Sequence, residues 1–164
     1  MMDTDRSMGG SAQMGFTVLI VDDELMPRTV LCRRLPWAGL GVSRVEQASD
    51  GEEGLEQARQ CRPDIVISDI KMPRKNGLEM AAAVREFLPA CQFVFLSGYS
   101  DKEYLKGAIR VKAASYVEKP IDLEEIEGVL RGVLEELQAQ AGPDPRRVFF
   151  RGTGEAGPPL NDRL

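Results

Sequence analysis

Histidine is absent from this chain of 164 residues. That absence removes imidazole metal ligands, histidine-based catalytic triads and any phosphohistidine of the chain's own. Cysteine is scarce. Cys32, Cys61 and Cys91 are widely spaced, odd in number and form no CxxC pair, so reduced structural thiols are expected rather than disulfides or a thiolate metal site. No apolar run reaches the length that spans a bilayer. The opening residues 1–15 are polar and lack the apolar segment of a secretory signal, so no membrane partner and a cytoplasmic location are expected. Positive charge is in deficit, leaving a formal net charge of -5. That balance argues against nucleic-acid binding by this chain alone, because phosphate neutralisation supplies most of such affinity. What is present is an ordinary globular balance of 43% apolar and 29% charged residues, enough for one domain with a real core.

The central stretch is Asp64-Ile65-Val66-Ile67-Ser68-Asp69-Ile70-Lys71-Met72-Pro73. Its β-branched run reads as a strand buried on both faces of a parallel sheet, ending in the carboxylate Asp69. Four other runs read as strands: 16–21, running into Asp22-Asp23-Glu24; 42–48; 92–96, delivering Ser97-Gly98; and 114–118, ending in Lys119-Pro120. Helices fall between and after them. The first covers 25–35, with Met26, Val30, Leu31 and Leu35 inward, and Pro36 to Gly41 breaks it. The second is opened by a Ser49/Glu52 capping box and ends before Pro63. Asn76 caps the third, whose Met80, Ala83, Val84, Phe87 and Leu88 share a face. A Ser100/Glu103 box opens the fourth, with Leu105, Ala108 and Ile109 inward. Asp122 and Glu125 cap the fifth, which carries the stripe Ile126, Val129, Leu130, Val133, Leu134 and Leu137. Residues 1–15 read as a disordered leader and 142–164, rich in Gly and Pro, as a flexible tail around one domain over 16–141.

Strict alternation of strand and helix implies an α/β fold: a doubly wound (βα)5 domain with a parallel five-stranded sheet and right-handed crossovers. The simplest strand order is the flavodoxin-like 2-1-3-4-5, with its switch point between the first and third strands. In that order Asp22, Asp23 and Asp69 converge at the carboxyl ends of neighbouring strands. Unpaired carboxylates so close repel one another, and a divalent cation relieves them. An all-oxygen ligand set selects a hard ion, Mg²⁺ or Mn²⁺. The fourth and fifth strands bring the Ser97 hydroxyl and the Lys119 ammonium to the same edge. This is the inventory for phosphoryl transfer to an aspartate. Taken singly, each of these residues also suits a plain structural place: an acid as turn or helix cap, the lysine as a surface charge.

Four segments, VLIVDDE at 18–24, PDIVISDIKMPRKNGLEM at 63–80, FLSGYSDKEYLKGAI at 95–109 and SYVEKPIDLEE at 115–125, together make the chain resemble a receiver domain of a two-component response regulator. Pro36-Trp37 and Ser97-Gly98-Tyr99 resemble the subclass usually fused to an AraC-type helix-turn-helix output domain. The resemblance implies that Asp69 is the phosphoacceptor and that Asp23 and Asp69 ligate Mg²⁺ directly. Asp22 would act through water, and Lys71 would contribute its backbone carbonyl. Lys119 and Ser97 would bind phosphoryl oxygens, Tyr116 would be an aromatic switch residue, and the Lys119–Pro120 bond would be cis. A sensor histidine kinase would donate the phosphoryl group. A homodimer would form through the fourth helix, fifth strand and fifth helix. The chain would catalyse its own phosphorylation and dephosphorylation without being a conventional enzyme.

Two departures stand out. Lys112 occupies the position where the family commonly closes its fourth helix with glycine, so either a left-handed lysine or a different helix end is expected. The residues after Ala141 are too few for an output domain, so transcriptional control would belong to a longer parent protein, or the receiver would act alone through protein contacts. A Mg²⁺-dependent aspartyl phosphatase would want a second acid two residues after the nucleophile, where this chain has Lys71. A flavodoxin-like cofactor binder would want a Ser/Thr/Gly-rich phosphate loop, where this chain has Asp22-Asp23-Glu24.

Overall fold

The computed structural model describes residues 15–98 and 104–141. The expected leader (apart from Gly15), the expected tail and the Ser100/Glu103 box lie outside the described residues. The elements run in order β1 (Phe16–Val21), α1 (Leu25–Arg34), a one-turn helix (Trp37–Leu40), β2 (Val42–Ala48), α2 (Gly51–Cys61), β3 (Ile65–Asp69), α3 (Gly77–Phe87), β4 (Gln92–Ser97), α4 (Leu105–Arg110), β5 (Ser115–Glu118) and α5 (Leu123–Ala141). The sheet has the order β2-β1-β3-β4-β5, and every pairing is parallel.

Both faces of the sheet are covered, which is why the inner strands β1, β3 and β4 read as mainly apolar runs, whereas the edge strands β2 and β5 carry polar residues. Alternate residues feed two cores. Val18, Ile20, Ile65, Ile67, Val94 and Leu96 pack with Leu31 of α1 and Ile126 and Leu130 of α5. Leu19, Val21, Val66, Phe93 and Phe95 pack with Ala58 of α2, Met80 and Val84 of α3 and Ala108 of α4. The two phenylalanines of β4 stack with ring centroids 6.1 Å apart.

Helix ends follow local chemistry, with corrections to the expected detail. Asn76 forms a complete capping box: its Oδ1 accepts the Glu79 N–H at 2.8 Å, and Glu79 Oε1 accepts the Asn76 N–H at 3.0 Å. Asp122 Oδ1 likewise accepts from the N–H groups of Glu124 and Glu125. The cap of α2 is Asp50, not Ser49. Asp50 has extended backbone and accepts the Glu53 N–H at 2.8 Å, while Glu53, rather than Glu52, reaches back to the Ser49 N–H and hydroxyl, each at 2.7 Å. Pro36 to Gly41 does more than break α1. It folds one further turn, which Gly41 closes at φ 86°.

Two expected core residues are exposed. Met26 is 72% exposed, because the first turn of α1 follows the loop at the carboxyl edge of the sheet; burial on α1 begins with Leu31. Ile109 is 68% exposed; Ala108 alone takes the inward position expected for both, and the side chain of Leu105 lies outside the described part. All three cysteines are free.

Candidate functional site

The site forms at the carboxyl edge of the sheet, where the ends of the neighbouring strands β1 and β3 are reached by the Lys119 side chain from beyond β5. The register pairs Val21 with Ser68, so the next residues along, Asp22 and Asp69, emerge side by side. Carboxylate oxygens of Asp22, Asp23 and Asp69 all lie within 4.8 Å of one another. Asp22 and Asp69 are buried, and Asp23 is exposed towards the mouth.

Each buried acid is held by one oxygen and left with the other. Asp22 Oδ1 accepts the Glu24 N–H at 2.9 Å. Asp69 Oδ1 accepts the Ile70 N–H at 2.9 Å. Lys119 then stands between the remaining oxygens, with Nζ 3.2 Å from Asp69 Oδ2 and 3.6 Å from Asp22 Oδ2. Asp22 Oδ2 is fully buried without a hydrogen-bond partner. A buried carboxylate oxygen without a hydrogen bond, beside two further acids and only loosely paired with Lys119, suits ligation of a hard cation. The donor set therefore fits Mg²⁺ or Mn²⁺, and the exposed Asp23 could add an oxygen from the open side.

Electrostatics follow from this crowding. Burial, and then the Asp22 charge, push the Asp69 carboxyl up to about 6, against the pull of Lys119 and the Ile70 N–H. Burial raises Asp22 too, opposed by the Glu24 N–H and Lys119. Burial alone would lower the Lys119 ammonium, but Asp69 and Asp22 outweigh it and hold it above its ordinary value.

The other expected residues fall around this centre. Ser97 is buried at the end of β4, one position beyond Leu96, the register partner of Asp69. Its carbonyl accepts the Lys119 N–H at 2.8 Å, which ties the serine and the lysine together through the backbone. The Lys119–Pro120 peptide is cis, as the resemblance implied. Tyr116 is half-buried on β5 and packs against the core beneath α2, α3 and α4. Lys71 is exposed, with Nζ 5.8 Å from the centre of the Tyr104 ring, so its side chain points away from a role as ligand.

Supporting residues went unnoticed in the sequence. Gly77 lets α3 press against the end of β3: a Cβ there would stand 2.2 Å from the Asp69 carbonyl oxygen. Its N–H donates to the Ile70 carbonyl at 2.8 Å. Arg74, at φ 71°, donates Nε to Asp50 Oδ2 at 2.9 Å and pins the loop after Asp69 to the start of α2. Arg28 of α1 donates to the Asp22 carbonyl at 2.6 Å. The Asn76-Gly77 pair was a readable signal for the first; nothing local marks the two arginines.

The family model for the response regulator receiver domain matches residues 18–131. An uncharacterized response regulatory protein of Staphylococcus epidermidis is 38% identical over 122 residues, covering 74% of this chain and 48% of its own length. The transcriptional regulatory protein HptR of Staphylococcus aureus is 39% identical over 130 residues, covering 77% and 51%. The chain thus spans about half the length of these curated relatives. Among solved structures, the REC domain of AraT, a response regulator from Geobacillus stearothermophilus, aligns with a TM-score of 0.74 at 34% identity, covering 77% of this chain and 98% of that one. A two component transcriptional regulator AraC from Clostridium phytofermentans aligns at 0.68 and 38%, with the same coverage.

Proposed function

The chain belongs to the response regulator receiver domain family, and on that premise we propose that it is a phosphorylation switch whose acceptor is Asp69. The observation that carries this reading is the meeting of three carboxylates with Lys119 at one sheet edge. Asp23 and Asp69 would ligate Mg²⁺, or Mn²⁺, directly, with Asp22 acting through water and the Lys71 carbonyl completing the protein's share. A bound divalent cation supplies charge neutralisation for the transferring phosphoryl group.

The chain's own residues do the rest. Ionised Asp69, oriented by the Ile70 N–H, forms an O–P bond while the P–N bond of a kinase phosphohistidine breaks. The electron pair returns to the imidazole, which takes up a proton. Lys119 offsets charge on the phosphoryl oxygens, and Ser97 donates to one of them. The acyl phosphate adds about one to two negative charges and new acceptor oxygens, which favour the arrangement with Ser97 drawn in and Tyr116 turned inward. A coupling of about 1–3 kcal/mol suits a reversible switch. The readout would be the face made of α4, β5 and α5, through a homodimer, in a cytoplasmic protein partnered by a sensor histidine kinase. The names of HptR and of the Clostridium phytofermentans regulator, both transcriptional, favour transcriptional control by a longer parent protein as the output.

Intact mass after incubation with Mg²⁺ and acetyl phosphate tests the reading. Wild type is expected to gain one phosphoryl group. Asp69→Asn, and wild type in EDTA, are expected to gain none. A phosphoryl group on the Asp69→Asn chain would place the acceptor elsewhere and sink the assignment.

A further inference from the structure

Asp22 has four polar atoms, and three are fastened. Its N–H donates to the Ala48 carbonyl at the end of β2 at 3.1 Å. Its Oδ1 takes the Glu24 N–H. Its backbone carbonyl accepts from Arg28 Nη1 at 2.6 Å, a short charge-assisted bond from a half-buried residue one turn into α1. Only Oδ2 is left without a hydrogen bond. Arg28 is itself steered, with Nε 3.4 Å from Gln47 Oε1 on β2. Gln47 in turn places Nε2 3.5 Å from Cys32 Sγ on α1.

The carbonyl that Arg28 grips belongs to the planar peptide joining Asp22 to Asp23. Fixing that plane sets where the Asp23 Cα stands relative to Asp22, and so narrows the directions in which the Asp23 side chain can leave the chain. Asp23 is exposed, and the described contacts give its carboxylate no packing that would do this instead. We propose that Arg28 is a positioning residue of the divalent-cation site. Through the Asp22 carbonyl it holds the Asp22–Asp23 peptide so that both carboxylates face Asp69 before a cation arrives. This rests on the cation reading above. Without the grip, mutual repulsion spreads the acids in the metal-free chain, and binding must gather them again. Loss of an orienting partner in a metal site typically weakens affinity by about 10–100-fold, and a single backbone contact belongs near the lower end, about tenfold.

The test is calorimetric titration of the full chain with Mg²⁺, alongside melting in EDTA. Arg28→Ala is expected to bind Mg²⁺ about tenfold more weakly while melting close to wild type, since alanine suits a helix. Arg28→Lys, which keeps a donor but not the fork that also meets Gln47, is expected to recover part of the loss. Arg33→Ala, an exposed change on the same helix, is expected to leave affinity unchanged. If Arg28→Ala melts early, Arg28→Met keeps the stem and donates nothing, and the same weakening is expected. Affinity within twofold of wild type for the donor-free variants would overturn the role of Arg28 alone. Absence of Mg²⁺ binding by wild type would overturn both this role and the cation reading.

Discussion

At the scale of single residues, the site holds two buried acids whose ionisation costs stability. Asp69 is the clearest case. Its carboxyl titrates at about 6 in the folded chain, chiefly because it is buried and next to Asp22, against about 3.9 when unfolded. The folded state therefore holds this proton more tightly than the unfolded state does. The resulting stabilisation is fully present below about pH 4 and is lost as pH rises through about 6. Asp69→Asn has no proton to lose. In EDTA at pH 7 the variant is expected to be more stable than wild type by about 1–2 kcal/mol, less than the full linkage value because the contact with Lys119 weakens. The difference should shrink on acidification through pH 6 and vanish below about 4. Urea denaturation at a series of pH values measures it. A wild type more stable than the variant at pH 7 would mean that attraction to Lys119 outweighs the cost of burial. The acids were legible as a cluster because each follows an apolar strand. Their support was not, because Arg28 and Arg74 act on backbone and loop atoms brought close only by folding.

At the scale of elements, α4 shows how a departure from the family pattern is absorbed. Lys112 takes φ 57°, the left-handed conformation that glycine adopts without steric penalty. The Ala113 N–H reaches the Ala108 carbonyl at 3.0 Å, and the Lys112 N–H reaches that of Ile109 at 3.0 Å, the paired closing bonds of a Schellman motif. Arg85 of α3 adds a donor to the Lys112 carbonyl at 3.0 Å. The helix thus ends as a glycine-closed one would, and the strain stays in one residue. Since the carbonyl contact with Arg85 does not depend on the side chain, Lys112→Gly is expected to stabilise the chain by about 1 kcal/mol, a rise in Tm of a few degrees, read by thermal melting. A loss of stability would show that the lysine side chain contributes more than the strain it imposes. Elements with strong local signals were readable in this same sense: Asn76 before α3 and Asp122 before α5 cap as their spacing implied. Where two polar residues stood side by side, as Ser49 and Asp50 do, spacing alone placed the cap one residue early. Met26 and Ile109 had helical spacing but no sheet beneath them, a fact that lies in tertiary placement rather than in periodicity.

At the scale of the whole molecule, the strand order was legible because a parallel sheet with buried inner strands leaves few other choices: five strands alternating with helices wind on both faces. That order makes the site a property of the entire fold. Asp22, Asp69 and Lys119 come from β1, β3 and β5, the first and last of them separated by most of the domain, and no fragment short of it brings them together. A cation bound there binds the native state and not the unfolded chain, so its binding free energy adds to global stability. Mg²⁺ at about one hundred times its dissociation constant is expected to raise stability by about 2.7 kcal/mol. The same ionic strength of NaCl, which screens the acids without ligating between them, should give much less. Asp23→Asn, which removes one of the proposed ligands, should leave the EDTA melting temperature nearly unchanged, since Asp23 is exposed, yet should abolish most of the Mg²⁺ increment. Paired thermal melts in EDTA, NaCl and MgCl₂ decide the matter. An increment equal in NaCl and MgCl₂, or one that survives Asp23→Asn intact, would mean that the cation screens the acidic edge without being gathered by its three carboxylates.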